Sequence, residues 1–318
     1  MSLPRALLVA GPTASGKSAL ALELAERLRG MIINADSMQV YAELRVLTAR
    51  PTPEEEARVP HRLYGIRSAA QPGSAALWRE QALLAMEAAR ADDRLPILTG
   101  GTGLYFAAVT QGLAGIPDPG PAARAEARAL LAELGAPGLH ARLAAADPAT
   151  AARLNSNDSQ RIARAWEVWR GTGTGLAAWQ SGFTADDAAP WRFAAILLDP
   201  PREELRAAIA TRFEAMLQQG ALEEVRALLA QRLDPALPAM RAHGVPEISA
   251  HLRGEISLEQ TGRRVELVTG QYTKRQATWF RHHRLAAHMH TIDARYAGVA
   301  QFSERKLEEI IAFVRSEG

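Results

Sequence analysis

Short apolar runs alternate with helical stripes through the first hundred residues. Ala6–Ala10 is an uninterrupted apolar run that stops at Gly11-Pro12, the pattern of a strand buried on both faces. From Ser18 to Leu28, Leu20, Leu24 and Leu28 recur at helical spacing, and Gly30 supplies a stop. Met31–Ala35 predicts a second strand ending at Asp36, and His61–Ile66 a third. Ala75–Ala91 predicts a helix whose apolar face is Leu77, Leu84 and Ala88. Leu95–Thr99 predicts another strand, closed by Gly100-Gly101. Strand and helix in turn imply a parallel sheet wound on both faces.

The pattern changes at about Pro117. As far as Pro190 it becomes alanine-rich helix, with candidates at Pro121–Leu134, Pro137–Ala145 and Asp158–Arg170. In the last of these Ile162, Trp166 and Trp169 form the apolar stripe, which puts Arg161 and Arg164 on another face. Phe193–Leu198 returns to strand, Glu203–Gln231 is a long helix broken near Gly220, and Ser303–Arg315 is a final helix. The expected fold class is α/β: a P-loop-type doubly wound parallel sheet with a helical insertion domain. Residues 1–116 and 191–318 would be the two parts of the core and 117–190 the insertion.

Composition changes this picture little. Of 318 residues, 47% are hydrophobic and 23% charged, enough to bury a core. No cysteine is present, so disulfides and thiolate metal sites are excluded, and an intracellular setting is expected. No apolar run approaches the roughly 20 residues that span a bilayer, and no signal peptide is read at the N-terminus. A net charge of +2 does not by itself argue for nucleic acid. Lysine is limited to Lys17, Lys274 and Lys306, a bias that draws attention to those three positions.

Gly11-Pro12-Thr13-Ala14-Ser15-Gly16-Lys17-Ser18 matches G-x-x-x-x-G-K-[ST], and it lies between a strand and a helix as that motif requires. Its backbone N–H groups and the helix N-terminus suit phosphate oxygens. Lys17 adds a point charge, and the Ser18 hydroxyl suits Mg2+. The loop alone does not distinguish a kinase or ATPase from an enzyme with a diphosphate leaving group. Asp36, at the end of the next strand, suits a general base, or equally a turn cap. Thr102 sits among Gly100, Gly101 and Gly103, where a ligand or another backbone comes close, or where the chain simply turns tightly. No acidic residue lies between Glu266 and Asp293. Within that stretch Lys274, Arg275 and Arg281 are interleaved with Gln276, Trp279 and Phe280. Such a mixture suits RNA phosphates and unstacked bases, or else a solvated helix face with its aromatics in the core. The four histidines from His282 to His290 match no metal-ligand spacing.

Taken together, these residues resemble the tRNA dimethylallyltransferase (tRNA isopentenyltransferase) family along nearly the whole chain. The resemblance rests on the phosphate loop, Asp36-Ser37, Thr48-Ala49-Arg50-Pro51, Pro60-His61-Arg62-Leu63, Gly100-Gly101-Thr102 with Leu104-Tyr105, Asn157-Asp158 with Gln160-Arg161, and Lys274-Arg275-Gln276 with Thr278-Trp279 and Arg281. It implies transfer of a dimethylallyl group from dimethylallyl diphosphate to N6 of adenosine 37, in tRNAs that read codons beginning with U. The loop would hold the departing pyrophosphate with Mg2+, and Lys17, Asp36 and Thr102 would be catalytic. The anticodon stem-loop would meet Asp36, Ser37, Met38 and Gln39; Thr102; Arg124; Gln160, Arg161, Ile162, Ala163 and Arg164; Arg241, Ala242, His243, Gly244, Val245 and Pro246; and Lys274, Arg275, Gln276, Ala277, Thr278, Trp279, Phe280 and Arg281. The insertion would clasp the tRNA. No membrane partner is implied, and a monomer is compatible with this partner set. One departure stands out: Val245-Pro246 follows Gly244 where the family usually has tyrosine and a polar residue. The alternative reading is a P-loop nucleotide or small-molecule kinase.

Overall fold

A computed structural model describes residues 3–182, 188–298 and 304–316. Among them the strands β1 (Arg5–Ala10), β2 (Gly30–Asn34), β3 (His61–Arg62), β4 (Leu95–Gly100), β5 (Arg192–Leu198) and β6 (His288–Ile292) form one sheet in the order β3-β2-β4-β1-β5-β6. Every pairing is parallel. β1 sits inside the sheet, in register with β4 through Leu7↔Ile97 and with β5 through Leu7↔Ala194. Its apolar run is buried because helices cover both faces. On one of them α1 (Lys17–Arg27) and α13 (Glu304–Ser316) share a core that includes Leu7, Val9, Leu20, Leu24, Ile310 and Ile311. The α/β class with a parallel six-stranded sheet is therefore established.

Several elements differ in detail from their sequence patterns. The expected strand at His61–Ile66 is only two residues long, because Leu63 (φ 67°) and Gly65 (φ 60°) turn into the left-handed region. In α3 (Ala75–Ala91) the expected apolar face points to solvent: Leu77 and Leu84 are 44% and 61% exposed. The buried face is Trp78, Ala82, Ala85, Met86 and Ala89. Trp78 sets this rotation by donating its indole N–H to the Asn34 carbonyl (2.8 Å) and stacking on Tyr105 at 4.2 Å. β6 had no apolar run to announce it, being a histidine-rich edge strand. The break near Gly220 is present: that residue takes φ 98° between α9 (Arg202–Gln218) and α10 (Ala221–Ala230). α11 (Val245–Leu252) and the long α12 (Leu258–His282) complete the second part of the core. Ser303, expected to open the last helix, lies outside the described residues.

The chain divides into two compact units, Met1–Thr110 with Ala189–Gly318, and Gln111–Ala188. Within the second, α5 (Gly120–Ala146) breaks at Gly135 (φ 66°, ψ 177°), two residues before Pro137, and packs on α7 (Ser159–Thr172). Leu139, Leu143, Ile162 and Trp166 are its core, with Trp169 partly buried beside them.

Candidate functional site

The site is built at the carboxyl ends of β1, β2 and β4, where open parallel sheets present their ligand crevice. Gly16 adopts φ 87° and starts α1. A Cβ at this position would collide with the Tyr296 carbonyl, so glycine is required on two counts. Residues 295–296 pack over the loop: Tyr296 N–H donates to the Ser15 carbonyl (3.0 Å) and Arg295 Nε to that of Ala14 (2.9 Å). On the other side the buried Gln276 of α12 ties two turns together. Its Oε1 accepts from Thr13 N–H (2.9 Å) and its Nε2 donates to the Gly101 carbonyl (2.9 Å). The close approach foreshadowed by the 100–103 glycines comes from the Ala35 backbone, Gln276 and Trp279.

A cavity of about 1350 Å³ opens in front of the loop, lined among others by Thr13, Lys17, Ser18, Asp36, Thr99 and Arg212. Burial lowers the Lys17 ammonium to a pKa of about 8; Asp36 counters that shift and Arg212 reinforces it. Arg212, on α9, is itself pushed down by burial, with Asp36 opposing. Two cations and one carboxylate thus line a common cavity, an arrangement whose chemistry suits a multiply charged anion. Sequence reasoning missed Arg212. The available signal was its place beside the buried Ile209, Phe213 and Met216 on one helix.

Asp36 accepts from Met38 N–H (2.9 Å) through Oδ1, so the turn-cap reading has a real hydrogen bond; the residue also lines the cavity. Thr102 Oγ1 accepts from Ser37 N–H (3.0 Å) and bonds Ser37 Oγ (3.3 Å), which fixes the β4 turn to the β2 turn. For a magnesium ion the observations fit. Ser18 lines the cavity, and Thr99, also among its lining residues, has a buried Oγ1 without a hydrogen-bond partner. Among the described residues no group of three or more His, Cys, Asp or Glu side chains is placed to hold a metal.

A second cavity of about 80 Å³, the smaller branch of the site, shares Thr13, Asp36 and Arg212 with the first. Its walls are mainly apolar: Met38, Leu47, Ile209, Phe213, Met216 and Val265. Tyr272 and His243 also line it, their rings 4.9 Å apart, and burial lowers the His243 pKa.

The residues suggested for RNA contact divide by exposure. Arg241, Pro246, Lys274, Arg275, Thr278 and Arg281 are exposed in the first unit, as are Gln160, Arg161 and Arg164 in the second. Ile162, Ala242, Gly244, Val245, Gln276, Ala277 and Phe280 are buried. Six of these have side chains packed in the interior, and Gly244 has none. Val245, at the family departure, is 1% exposed and sits in the first turn of α11, and Pro246 occupies the adjoining early helical position where no N–H is needed. Several of these arginines carry an acidic partner: half-buried Arg124 with Asp118, and exposed Arg161 with Asp158, Arg164 with Glu167 and Arg281 with Asp199.

Comparison with known proteins bears on this site. The IPP transferase family profile matches residues 39–283. The tRNA dimethylallyltransferase of Granulibacter bethesdensis is 63% identical over 318 residues, covering 99% of each chain. Among solved structures, the tRNA isopentenylpyrophosphate transferase of Bacillus halodurans superposes with a TM-score of 0.69 at 30% identity, covering 98% of this chain and 96% of its own. A eukaryotic dimethylallyltransferase captured acting on tRNA gives 0.81 at 23% identity, covering 98% and 79%, which speaks for the fold.

Proposed function

This chain belongs to the IPP transferase family, and on that premise we propose how its geometry carries out tRNA dimethylallyl transfer. The donor is dimethylallyl diphosphate and the acceptor is N6 of adenosine 37 in the anticodon loop of tRNAs reading codons beginning with U. One observation carries the reading: the cationic phosphate cavity and the apolar branch meet at Asp36 and Arg212. The diphosphate would lie against loop 11–18 with Lys17 and Arg212 on its oxygens, and the five-carbon group would enter the branch. Ser18 would hold Mg2+, with Thr99 beside it; the ion, when bound, supplies Lewis-acid stabilisation to the departing diphosphate.

The acceptor base must leave its stack to reach this point. The N6 lone pair then attacks C1 of the allyl group. The C1–O bond breaks, its electron pair leaves on pyrophosphate, and Asp36 accepts the proton that the alkylated nitrogen loses. Lys17, Arg212 and the loop N–H groups meet the charge developing on pyrophosphate. Thr102 fixes the turn that carries Asp36. RNA backbone contacts are assigned to the exposed side chains of α12, to Arg241 and to the α7 arginines. A tRNA substrate supports a cytoplasmic location.

The test is transfer of a labelled prenyl group from dimethylallyl diphosphate to an anticodon stem-loop containing A36-A37, with magnesium and without ATP. Transfer is expected. Absence of transfer, together with ATP-dependent phosphorylation of a small molecule, would overturn the reading in favour of a kinase.

A further inference from the structure

Outside the reacting groups, Glu224 in the first turn of α10 gathers backbone hydrogen bonds from a distant segment. Its carboxylate accepts three successive backbone N–H groups, from Arg45 (2.7 Å), Val46 (2.7 Å) and Leu47 (3.0 Å). Three N–H groups converging on one anion form a backbone nest, here filled from within the protein. The acceptor and the nest lie 177 to 179 residues apart in the chain.

This turn matters because of what it carries. Leu47, the last of the three, is 8% exposed and forms part of the apolar branch wall. Its side chain lies against Gly244, where an added Cβ would stand 2.9 Å from Leu47 Cδ2. Thr48 follows it on the same wall. The segment is held from the inner side by Gln39, whose Nε2 donates to the carbonyls of Thr48 (2.9 Å) and Ala49 (3.0 Å). From the other side Glu224 is the tether. A wall residue held at both ends has one position, and a branch with a fixed wall has one length.

We propose that Glu224 is a positioning residue for donor selectivity, pinning the 45–47 turn so that Leu47 closes the branch behind a five-carbon group. The inference rests on the branch being the allyl site. Without the carboxylate the three N–H groups turn to water, the turn relaxes, and Leu47 withdraws. The branch then admits a longer chain.

The experiment compares kcat/KM for dimethylallyl and geranyl diphosphate in wild type, Glu224→Gln and Leu47→Ala, with amide exchange at residues 45–47 followed in parallel. The glutamine keeps size but presents one acceptor oxygen and an NH2 that opposes the N–H groups. Its preference for the shorter donor should fall roughly tenfold, within what a site gains by excluding added methylenes. Leu47→Ala should show the same loss, and exchange at 45–47 should accelerate in Glu224→Gln alone. A stabilising role without influence on the branch would lower the Tm and leave the ratio unmoved. An unchanged ratio in folded Glu224→Gln overturns the proposal, above all if Leu47→Ala shifts it. Should Glu224→Gln fail to fold, an unchanged ratio in Leu47→Ala overturns it. Wild-type protein that uses neither donor overturns the proposed function and the selectivity role with it, whereas unchanged exchange in Glu224→Gln removes the latch itself.

Discussion

At Lys17 the structure sets up a proton linkage that can be measured. The free ammonium is held at about pKa 8 by burial, against an ordinary 10.5. A bound diphosphate favours the charged form and raises that pKa, so binding above pH 8 takes up a proton. Donor affinity should be flat below about pH 7 and should fall above pH 8, approaching tenfold per pH unit; isothermal titration in two buffers of different ionisation enthalpy would show the uptake. The apo protein has the opposite slope. Its folded-state pKa is depressed, so the unfolded chain binds more protons between 8 and 10.5, and the Lys17 contribution to stability rises with pH across that window. Affinity that does not change from pH 7 to 9.5 would remove Lys17 from the diphosphate. Arg212→Ala should act on the same ligand, lowering kcat/KM for the donor by roughly 100-fold as expected for a lost charge-stabilising donor, with RNA affinity unchanged. Asp36→Asn should lower kcat by about 100-fold or more with both substrates still bound, as for other removed general bases. At this scale the candidates read from the sequence lie in contiguous motifs, loop 11–18 and Asp36 at a strand end, and the structure brings them to one cavity. Arg212 and Glu224 escaped because each acts on residues more than a hundred positions away, and nothing near them in the chain records that partner.

At the scale of elements, Gln276 joins the helix carrying the exposed basic residues to the phosphate loop. Its amide is buried and satisfied at Thr13 and Gly101, and the glycine at 101 leaves room for it. Gln276→Leu keeps the volume but strips the partner from a loop N–H, a change that costs about 1–3 kcal/mol. The expected outcome is a lower Tm together with a raised donor KM; a lower Tm alone would mean that the clamp serves the fold and not the loop. The family resemblance places this residue in a segment that would contact RNA, and its buried amide adds a task at the loop that the motif does not announce. The same limit explains α3. Periodicity located Ala75–Ala91 correctly but selected its leucines as the inner face, whereas the Trp78 hydrogen bond to Asn34 and its stacking on Tyr105 turn that face outward. The buried strands β1, β2, β4 and β5 were legible because each is an apolar run covered on both faces. β6, paired on one side and rich in histidine, has no such run.

For the whole molecule, a net charge of +2 supplies little long-range attraction for RNA. Affinity must then come from particular exposed cations, and many of these are arginines already paired with carboxylates, as Arg281 is with Asp199 at 3.0 and 3.2 Å. Exposed pairs of this kind are worth about 0–1 kcal/mol, so exchanging a carboxylate for a phosphate is cheap, but it releases fewer counterions than a bare cation would. Lys274 is exposed on α12 and brings an ammonium with no bidentate geometry to satisfy. Lys274→Ala should therefore weaken anticodon stem-loop binding and reduce the slope of log K against log[salt] by about 0.7 to 0.9, the contribution of one phosphate. The loss should be the same for cognate and non-cognate stem-loops, because a phosphate contact carries no sequence information. Donor KM should stay where it was, since the adjoining Gln276, and not Lys274, reaches the loop. An unchanged salt slope would put Lys274 on a solvated face of α12 and transfer the electrostatic part of binding to the arginines.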